Sequence, residues 1–251
     1  MKSMRYSASF ETLYTKIPKW MSMRQKDIRC GYAFFAAFLF LWPASALAET
    51  DKECLAIWKK PDVKIEVVSN KPRLDHGKSS QQIEQIAKKS GFAKSLRHAN
   101  LLGLTHSSIG PSLGVATKHA ELRGGKNCLR LDWVRLTFGA RKTNVYIDRK
   151  YRKSSCAYKA VFAHEMEHVR INERVIEEYL PIITKELEER AAEVRPFYTK
   201  SSKDAGRSIV NRLMFELDPL LKEFNAARMA ANDLIDTPAA YAATQAQCTD
   251  W

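Results

Sequence analysis

The feature that most constrains the fold of this chain is an uninterrupted helical pattern at residues 155–172. The segment contains neither Pro nor Gly, and its apolar residues recur at roughly helical spacing, which predicts an amphipathic helix. It carries His164, Glu165 and His168 in the order His-Glu-x-x-His. Because residues four apart share one face of a helix, the two imidazoles can point at one ion. The pattern predicts a catalytic zinc site in which Glu165 takes a proton from a metal-bound water.

The same residues have a plainer interpretation, a solvated helix face on which two histidines happen to lie four apart. With six His in 251 residues, a chance His-Glu-x-x-His is expected in about one chain of this length in a hundred. Glu167 favours the plain interpretation, because it puts a charge inside the motif. The neighbouring sequence favours the metal site.

The N-terminal region has the pattern of a secretory signal. Three basic residues precede an apolar run at residues 30–42, and the small-residue pattern Ala46-Leu47-Ala48 follows. This predicts a signal peptide at residues 1–48, cleaved after Ala48, and a secreted or periplasmic protein. The alternative, an uncleaved anchor, is disfavoured because a spanning helix needs about 20 apolar residues. We therefore expect no stable membrane anchor after cleavage.

The start of the leader has an alternative. A start at Met21 or Met23 would give a signal peptide of ordinary length, in which case residues 1–20 are a mis-assigned start. The mature chain, residues 49–251, is long enough for one hydrophobic core, and we expect a single domain.

The charge of the mature chain indicates which partners to expect. The leader holds seven Lys and Arg against two Asp and Glu, so the formal net charge falls from +13 for the whole chain to +8 without it. Such a surface suits anionic envelope polymers or acidic proteins. Acids are interspersed with the bases and no nucleic-acid-binding module is recognisable, so we expect no nucleic-acid partner.

Cysteine usage fits export. Removal of Cys30 with the leader leaves four cysteines, an even number that predicts two disulfides with three possible pairings. A zinc cluster is the disfavoured alternative, because none of the four lie close together in sequence. They are Cys54, Cys128, Cys156 and Cys248.

Upstream of the His helix the sequence predicts a little β-structure. Alternation at residues 63–67 predicts a strand, and residues 79–91 predict a capped helix. Residues 91–127 contain six Gly and one Pro and are expected to be rich in loops, with turns at Gly103-Leu104-Thr105 and Gly110-Pro111. A hairpin is expected from residues 128–138 and 143–148, with a turn at Gly139-Ala140-Arg141-Lys142.

Downstream, two long helical patterns imply an antiparallel pair. The first continues through a kink or restart at Pro181 to about residue 194, and the second runs from 208 to 234. The two are about equally long, so the second should end level with His164 and His168. A catalytic zinc needs three protein ligands, and this geometry offers Asp236 or Tyr241.

Two further histidines and the cysteines complete the set of candidate residues. His106 and His119 are reserve ligands, although each is more simply a loop residue. The returning helix should also bring Cys248 towards Cys156, which predicts a bond between them and leaves Cys54 to pair with Cys128.

At this point the sequence resembles an uncharacterised bacterial family of predicted secreted zinc-dependent proteases. The shared features are the signal peptide, the Cys-led hairpin, the His-Glu-x-x-His helix and a returning helix that ends in a Tyr-Asp-x-x-Thr-x-His-Gly-Ala-Thr-Gln-type segment. Here Asp236 and Ala243-Thr244-Gln245 match in register, whereas Tyr241 stands where the family has His. The resemblance covers residues 128–245. It implies that position 241 supplies the third metal ligand, for which Tyr is a rarer choice than His.

These patterns together predict a zincin-like α+β fold. In it a small antiparallel sheet or hairpin packs on a long antiparallel helical hairpin that carries the His-Glu-x-x-His motif. The expected activity is that of a zinc metallopeptidase acting on peptides or proteins of the cell envelope. A cell-wall amidase would use the same metal chemistry. The alternative from another class is a non-catalytic envelope scaffold with a degenerate metal site.

Overall fold

The computed structural model describes residues 4–9, 52–91, 101–122 and 125–251. Its strands are β1 (Met4–Ser9), β2 (Asp62–Ser69), β3 (Arg73–Asp75), β4 (Gly103–Leu122), β5 (Lys126–Ile147) and β6 (Phe197–Tyr198). Its helices are α1 (Ser80–Lys89), α2 (Cys156–Glu193), α3 (Ser202–Asp233) and α4 (Pro238–Gln245). The predicted leader, residues 1–48, lies outside the described residues except for β1.

One six-stranded sheet is built around the 22-residue strand β5. Along one edge β5 pairs antiparallel with β4 over nearly its whole length. Along its other edge it pairs in turn with β6, β2 and β3, the last two in parallel. Strand β1 pairs antiparallel with the far side of β4, at residues 112–117. The sheet is therefore mixed, with β4 and β5 at its centre.

The predicted fold class is wrong. A small antiparallel sheet or hairpin was expected, whereas the structure has a six-stranded sheet in which β2 and β3 run parallel to β5. The parallel pairings bring together residues about 70 positions apart, such as Ile65 and Leu136. Local alternation cannot reveal such pairings, because it marks a strand without saying which neighbour the strand will have.

The prediction of loops at residues 91–127 is also wrong, since most of this segment forms β4. Gly110 and Pro111, expected at a turn, lie within the strand opposite Gly139 and Phe138. Register shifts occur on either side of them, after Ser108 and after Ala116. Irregularities of this kind let a strand accommodate residues that usually end one.

The predicted turn at residues 139–142 is absent, because β5 runs straight through it. Gly139 has φ +134°, and a Cβ there would collide with the carbonyl oxygen of Val68 on the paired strand β2. The glycine thus allows two backbones to approach closely instead of reversing the chain. The hairpin is formed one strand earlier, between β4 and β5.

Helices α2 and α3 pack antiparallel on the sheet. Their side chains meet in reverse order along the chain, with His168 near Asn232 and Tyr179 near Glu223. Pro181 lies inside a continuous α2. The core between the helices and the sheet is apolar, and its largest fully buried members include Leu113, Leu136, Phe138, Ile183, Leu187, Leu213, Leu217 and Phe224.

Two disulfides join distant parts of the chain, Cys54 to Cys128 and Cys156 to Cys248. Both predicted pairings are thereby confirmed. Paired cysteines are usual in oxidising compartments and compatible with an extracellular location. None of the described helices combines the length and the apolar character that crossing a membrane requires.

Candidate metal centre

The motif histidines are positioned by the packing of α2. Ser155 caps the helix by accepting a hydrogen bond from the backbone N–H of Tyr158, which fixes where the helix begins. Val161, Val169 and Ile171 are buried against the rest of the fold. This anchoring leaves the imidazole of His164 partly exposed, whereas His168 is buried.

Asp236 meets both imidazoles with one oxygen. Its Oδ1 lies 3.3 Å from His164 Nε2 and 3.2 Å from His168 Nε2. The residue follows the end of α3, whose antiparallel packing brings it level with the motif 68 and 72 positions earlier in the chain. Together the three side chains form a group that could hold a metal ion.

Two distances within the donor set, from Asp236 Oδ1 to each imidazole, suit a tetrahedral ion, and all three donor atoms lie within 4.8 Å of one another. Zinc binds His nitrogen and carboxylate oxygen at about 2.0–2.2 Å, so two ligands of a tetrahedral ion lie about 3.3 Å apart. The observed distances from Asp236 Oδ1 match this value. The two histidines and one carboxylate also form a donor set typical of catalytic zinc, which keeps a fourth position for water.

A second contact fixes the orientation of His168. Its Nδ1 lies 2.7 Å from Asn232 Oδ1, while the Asn232 amide nitrogen donates to Arg228 O and Asn172 Oδ1. Because the amide nitrogen donates to two acceptors, the amide oxygen must be the atom that faces His168. This oxygen can only accept, so Nδ1 of His168 carries the hydrogen. Nε2 is therefore the nitrogen left for a metal.

The charges of the group are coupled. Burial lowers the pKa of His168, but hydrogen bonding to Asp236 and the charge of Glu165 outweigh it and raise the pKa to about 9. For Asp236, burial acts to raise the pKa, and hydrogen bonds from His164, His168 and Tyr241 bring it well below its ordinary value. Without a metal, the cluster is an imidazolium held by a carboxylate.

Glu165 is buried beneath the cavity. Its Oε2 lies 2.8 Å from Thr105 Oγ1, and it packs so closely on Gly103 that a Cβ there would stand 2.6 Å from Oε1. Burial raises the pKa of the Glu165 carboxyl, and the nearby imidazoles and Thr105 oppose this only in part. A carboxyl with a raised pKa can exchange a proton near neutral pH.

Tyr241, the other predicted ligand, donates a hydrogen bond from its phenol hydroxyl to the carboxylate of Asp236. Its hydroxyl lies 3.0 Å from Asp236 Oδ1, and its ring faces that of His164 at 5.3 Å. Burial, followed by the charge of Asp236, raises the pKa of Tyr241. The phenol is therefore a neutral donor beside the two imidazoles.

A small cavity adjoins this cluster, and a larger cavity lies beyond it. The smaller, about 100 Å³, is lined by Glu165, His168, Asp236 and Tyr241 among others. The larger, about 640 Å³, lies between α3 and β4. Both are lined by Ser107, Arg228 and Met229, so the larger cavity continues from the smaller.

Other sequence candidates lie apart from the cluster. Among the described residues, the group that could hold a metal does not include His106 or His119, which lie on β4. Glu167 pairs with Arg170 on the surface of α2, so its charge does not enter the site.

The residues that support the cluster were missed by the sequence analysis. Thr105 and Gly103 lay in the segment expected to be loop. Asn232 could have been found, because Arg228, Asn232 and Asp236 recur every four residues and form a polar stripe next to the motif helix.

No family model, no curated protein sequence and no solved structure matches this chain. The resemblance to secreted zinc-dependent proteases therefore remains an expectation. The function is inferred below from the geometry of the site itself.

Proposed function

We propose that this protein is an exported zinc-dependent metallopeptidase that hydrolyses peptides or proteins of the cell envelope. One observation carries the proposal: the imidazoles of His164 and His168 both lie close to Oδ1 of Asp236. The buried Glu165 lines the cavity next to them. Two imidazoles and a carboxylate suit zinc, and a base next to them suits hydrolysis.

In this proposal each residue has one task. A zinc ion on His164, His168 and Asp236 would polarise the scissile carbonyl and acidify a bound water. Glu165 takes the proton of that water on its carboxylate and passes it to the leaving amine, a task helped by its raised pKa. Tyr241 is a neutral hydrogen-bond donor at the edge of the site.

The first prediction separates metal binding from catalysis. Purified protein should carry close to one zinc per chain, and Glu165→Gln should keep that zinc while losing peptide hydrolysis by at least about a hundredfold, as expected for loss of a general base. Zinc is measured by elemental analysis and hydrolysis by mass spectrometry of peptide digests. Glu167→Gln is the matched control, because its carboxylate pairs with Arg170 on the same helix.

Two results would contradict the proposal. A folded protein that binds no zinc would remove the metal site. Hydrolysis that survives in Glu165→Gln at the level of Glu167→Gln would remove the assigned base.

A second candidate, a non-catalytic envelope scaffold with a degenerate metal site, is favoured by one observation. Asp236 Oδ1 has His164, His168 and Tyr241 as hydrogen-bond partners, so its charge is satisfied without a metal ion. This candidate expects His164→Ala to retain the folded structure and any binding of envelope proteins. The peptidase proposal expects the same variant to lose zinc and hydrolysis.

A further inference from the structure

Arg228 lies at the junction of the two cavities. It stands on α3 one helical turn before Asn232, is partly buried, and lines both the small cavity at the candidate metal centre and the larger cavity beyond it. A molecule that extends from one cavity into the other must pass its side chain.

The guanidinium group has few partners for a partly buried cation. The Arg228 side chain donates a long hydrogen bond from NH1 to a neutral acceptor, Asn172 Oδ1, at 3.4 Å. The buried Nε atom makes no hydrogen bond, and within the described part of the chain no carboxylate pairs with Arg228. Burial lowers the pKa of Arg228, because the charged guanidinium has lost part of its hydration.

Other arginines on the paired helices are neutralised. Arg212, also on α3, pairs with Glu216 at 2.8 Å, and Arg190 on α2 pairs with Glu186 at 2.8 Å. Unlike Arg228, these side chains are on the outer surface. On α3, therefore, the exposed Arg212 has a carboxylate partner, whereas Arg228 at the cavity has none among the described residues.

The larger cavity has an excess of positive charge. Its charged lining residues are Arg141, Asp218, Lys222 and Arg228. Asp218 pairs with Lys222 at 2.6 Å, so it is not available to neutralise Arg228. A negatively charged group entering this cavity would be attracted to its walls.

A short series of contacts links Arg228 to the metal ligands. Its NH1 contacts Asn172 Oδ1, Asn172 contacts Asn232, and Asn232 contacts His168. Each extended peptide residue spans about 3.3–3.6 Å. The guanidinium is therefore within reach of a group one to three residues away from a peptide bond placed at the two imidazoles.

We propose that Arg228 binds a carboxylate of the substrate and makes the enzyme selective for peptides that carry one close to the scissile bond. Guanidinium groups bind carboxylates through paired, charge-assisted hydrogen bonds, and Nε is one of the donors that such a pair uses. The carboxylate is either an acidic side chain or the C-terminus of the substrate. The inference rests on the peptidase function proposed above.

The test uses a set of hexapeptides based on Ser-Ala-Ser-Ala-Ser-Ala with acetylated and amidated ends. Glu or the neutral Gln replaces each residue in turn, and a further peptide has a free C-terminal carboxylate. Rates of hydrolysis are compared as kcat/KM for the zinc-loaded protein. We expect the best acidic peptide to be preferred over its neutral partner by about tenfold or more, as charge-assisted hydrogen bonds allow. A preference for Glu identifies a side-chain carboxylate, and a preference for the free acid identifies the C-terminus.

Variants assign the preference to Arg228. Arg228→Gln should abolish the preference for the acidic peptide without changing the zinc content, whereas Arg228→Lys should retain part of that preference. Arg212→Gln is the matched control on the same helix and should behave as the unaltered protein. Equal rates for acidic and neutral peptides in the unaltered protein, or a full preference in Arg228→Gln, would overturn the inference.

A binding measurement keeps this test independent of catalysis. The same peptides are titrated calorimetrically into zinc-loaded Glu165→Gln protein, with and without Arg228→Gln. Tighter binding of the acidic peptide that disappears with Arg228→Gln supports the carboxylate site even if no peptide is hydrolysed by the unaltered protein. Hydrolysis without any preference for acid leaves the peptidase proposal standing and overturns this one.

Discussion

His168 lies between two oxygen acceptors, and this position explains its behaviour. Nδ1 faces Asn232 Oδ1 and Nε2 faces Asp236 Oδ1, so both ring nitrogens carry hydrogens when no metal is present. The raised pKa of about 9 follows mainly from the neighbouring carboxylates, which overcome the effect of burial. A metal must displace one of these protons before it can bind.

Zinc binding should therefore release a proton. At pH 7.5 the imidazole of His168 is protonated in metal-free protein, since its pKa is raised from 6.5 to about 9. We expect about one proton from this ring per zinc at pH 7.5 and a declining contribution as the pH rises through 9. Calorimetry in buffers of different ionisation enthalpy measures the release.

The direction of the pH dependence identifies the source of the proton. A proton from metal-bound water would be released increasingly as the pH rises, which is the opposite trend. Release that grows between pH 7.5 and 9.5 would contradict the assignment to His168.

Asn232 should be a supporting residue for the metal ligands. Asn232→Ala removes the acceptor that holds Nδ1 of His168, and loss of such a partner typically weakens metal binding about ten- to a hundredfold. Zinc affinity is measured by competition with a chelating dye. Asn211→Ala, an exposed Asn on the same helix, is the control. Equal affinities in the two variants would show that Asn232 does not orient the ring.

Strand β4 supports Glu165, the proposed general base, from the other side of the cavity. Thr105 holds Glu165 by a hydrogen bond, and Gly103 leaves the space that Glu165 and Val161 fill. The position of Glu165 thus depends on the sheet as much as on its own helix. A substitution in β4 should therefore displace Glu165 without displacing the metal-binding side chains.

Gly103→Ala tests this dependence. The new Cβ would lie 2.6 Å from Glu165 Oε1 and 2.8 Å from Val161 Cγ1, so the carboxylate must move. We expect a loss of about 1–3 kcal/mol in the free energy of unfolding and at least about a tenfold fall in kcat/KM, since small displacements of a base are costly. Zinc content should not change.

The same strand supplies a control. Gly110→Ala would place its Cβ 3.8 Å from the nearest atom, a side-chain nitrogen of Arg141, which is an ordinary contact. This variant should keep both activity and stability within experimental error. A Gly103→Ala protein as active as Gly110→Ala would show that Glu165 does not need its present position.

The elements differ in how far their sequence predicts them. Helices α2 and α3 have long apolar periodicities, and the motif and Asp236 were placed on them or just beyond them from the sequence. Strand β4 was missed because Gly110 and Pro111 resemble a turn, although Pro111, Leu113 and Val115 alternate as buried residues of a strand. Thr105 could not be assigned to the site while its segment was taken for loop.

At the scale of the whole molecule, the site is built from one helix that packs firmly in the core and one that does not. The motif helix is part of the main core, whereas α4, which carries Tyr241, buries none of its residues. The Cys156–Cys248 disulfide ties the segment after α4 to the start of α2. The bond therefore supports the C-terminal part of the site where hydrophobic packing is weak.

Removing the two disulfides should have different consequences. Replacing Cys156 and Cys248 by Ser should weaken zinc binding and lower stability, because the segment carrying Tyr241 is released. Replacing Cys54 and Cys128 by Ser opens a loop of similar size and should lower only the free energy of unfolding. A loss of about 2–5 kcal/mol is typical of either bond. Zinc affinity and denaturant unfolding are measured on both double variants.

The comparison has a clear contrary result. Equal zinc affinity in the two double variants would mean that α3 alone positions Asp236 and that the bond at Cys248 serves only stability.

The separation of the ligands along the sequence has a consequence for biosynthesis. A chain grows from its N-terminus, so the ribosome delivers the two imidazoles long before the carboxylate at position 236. Until α3 has folded back, a nascent chain offers an ion only a pair of nitrogens, too few for a hydrolytic centre. If the site acts as proposed, the chain gains hydrolytic activity only after α3 has docked and Asp236 has joined the two imidazoles.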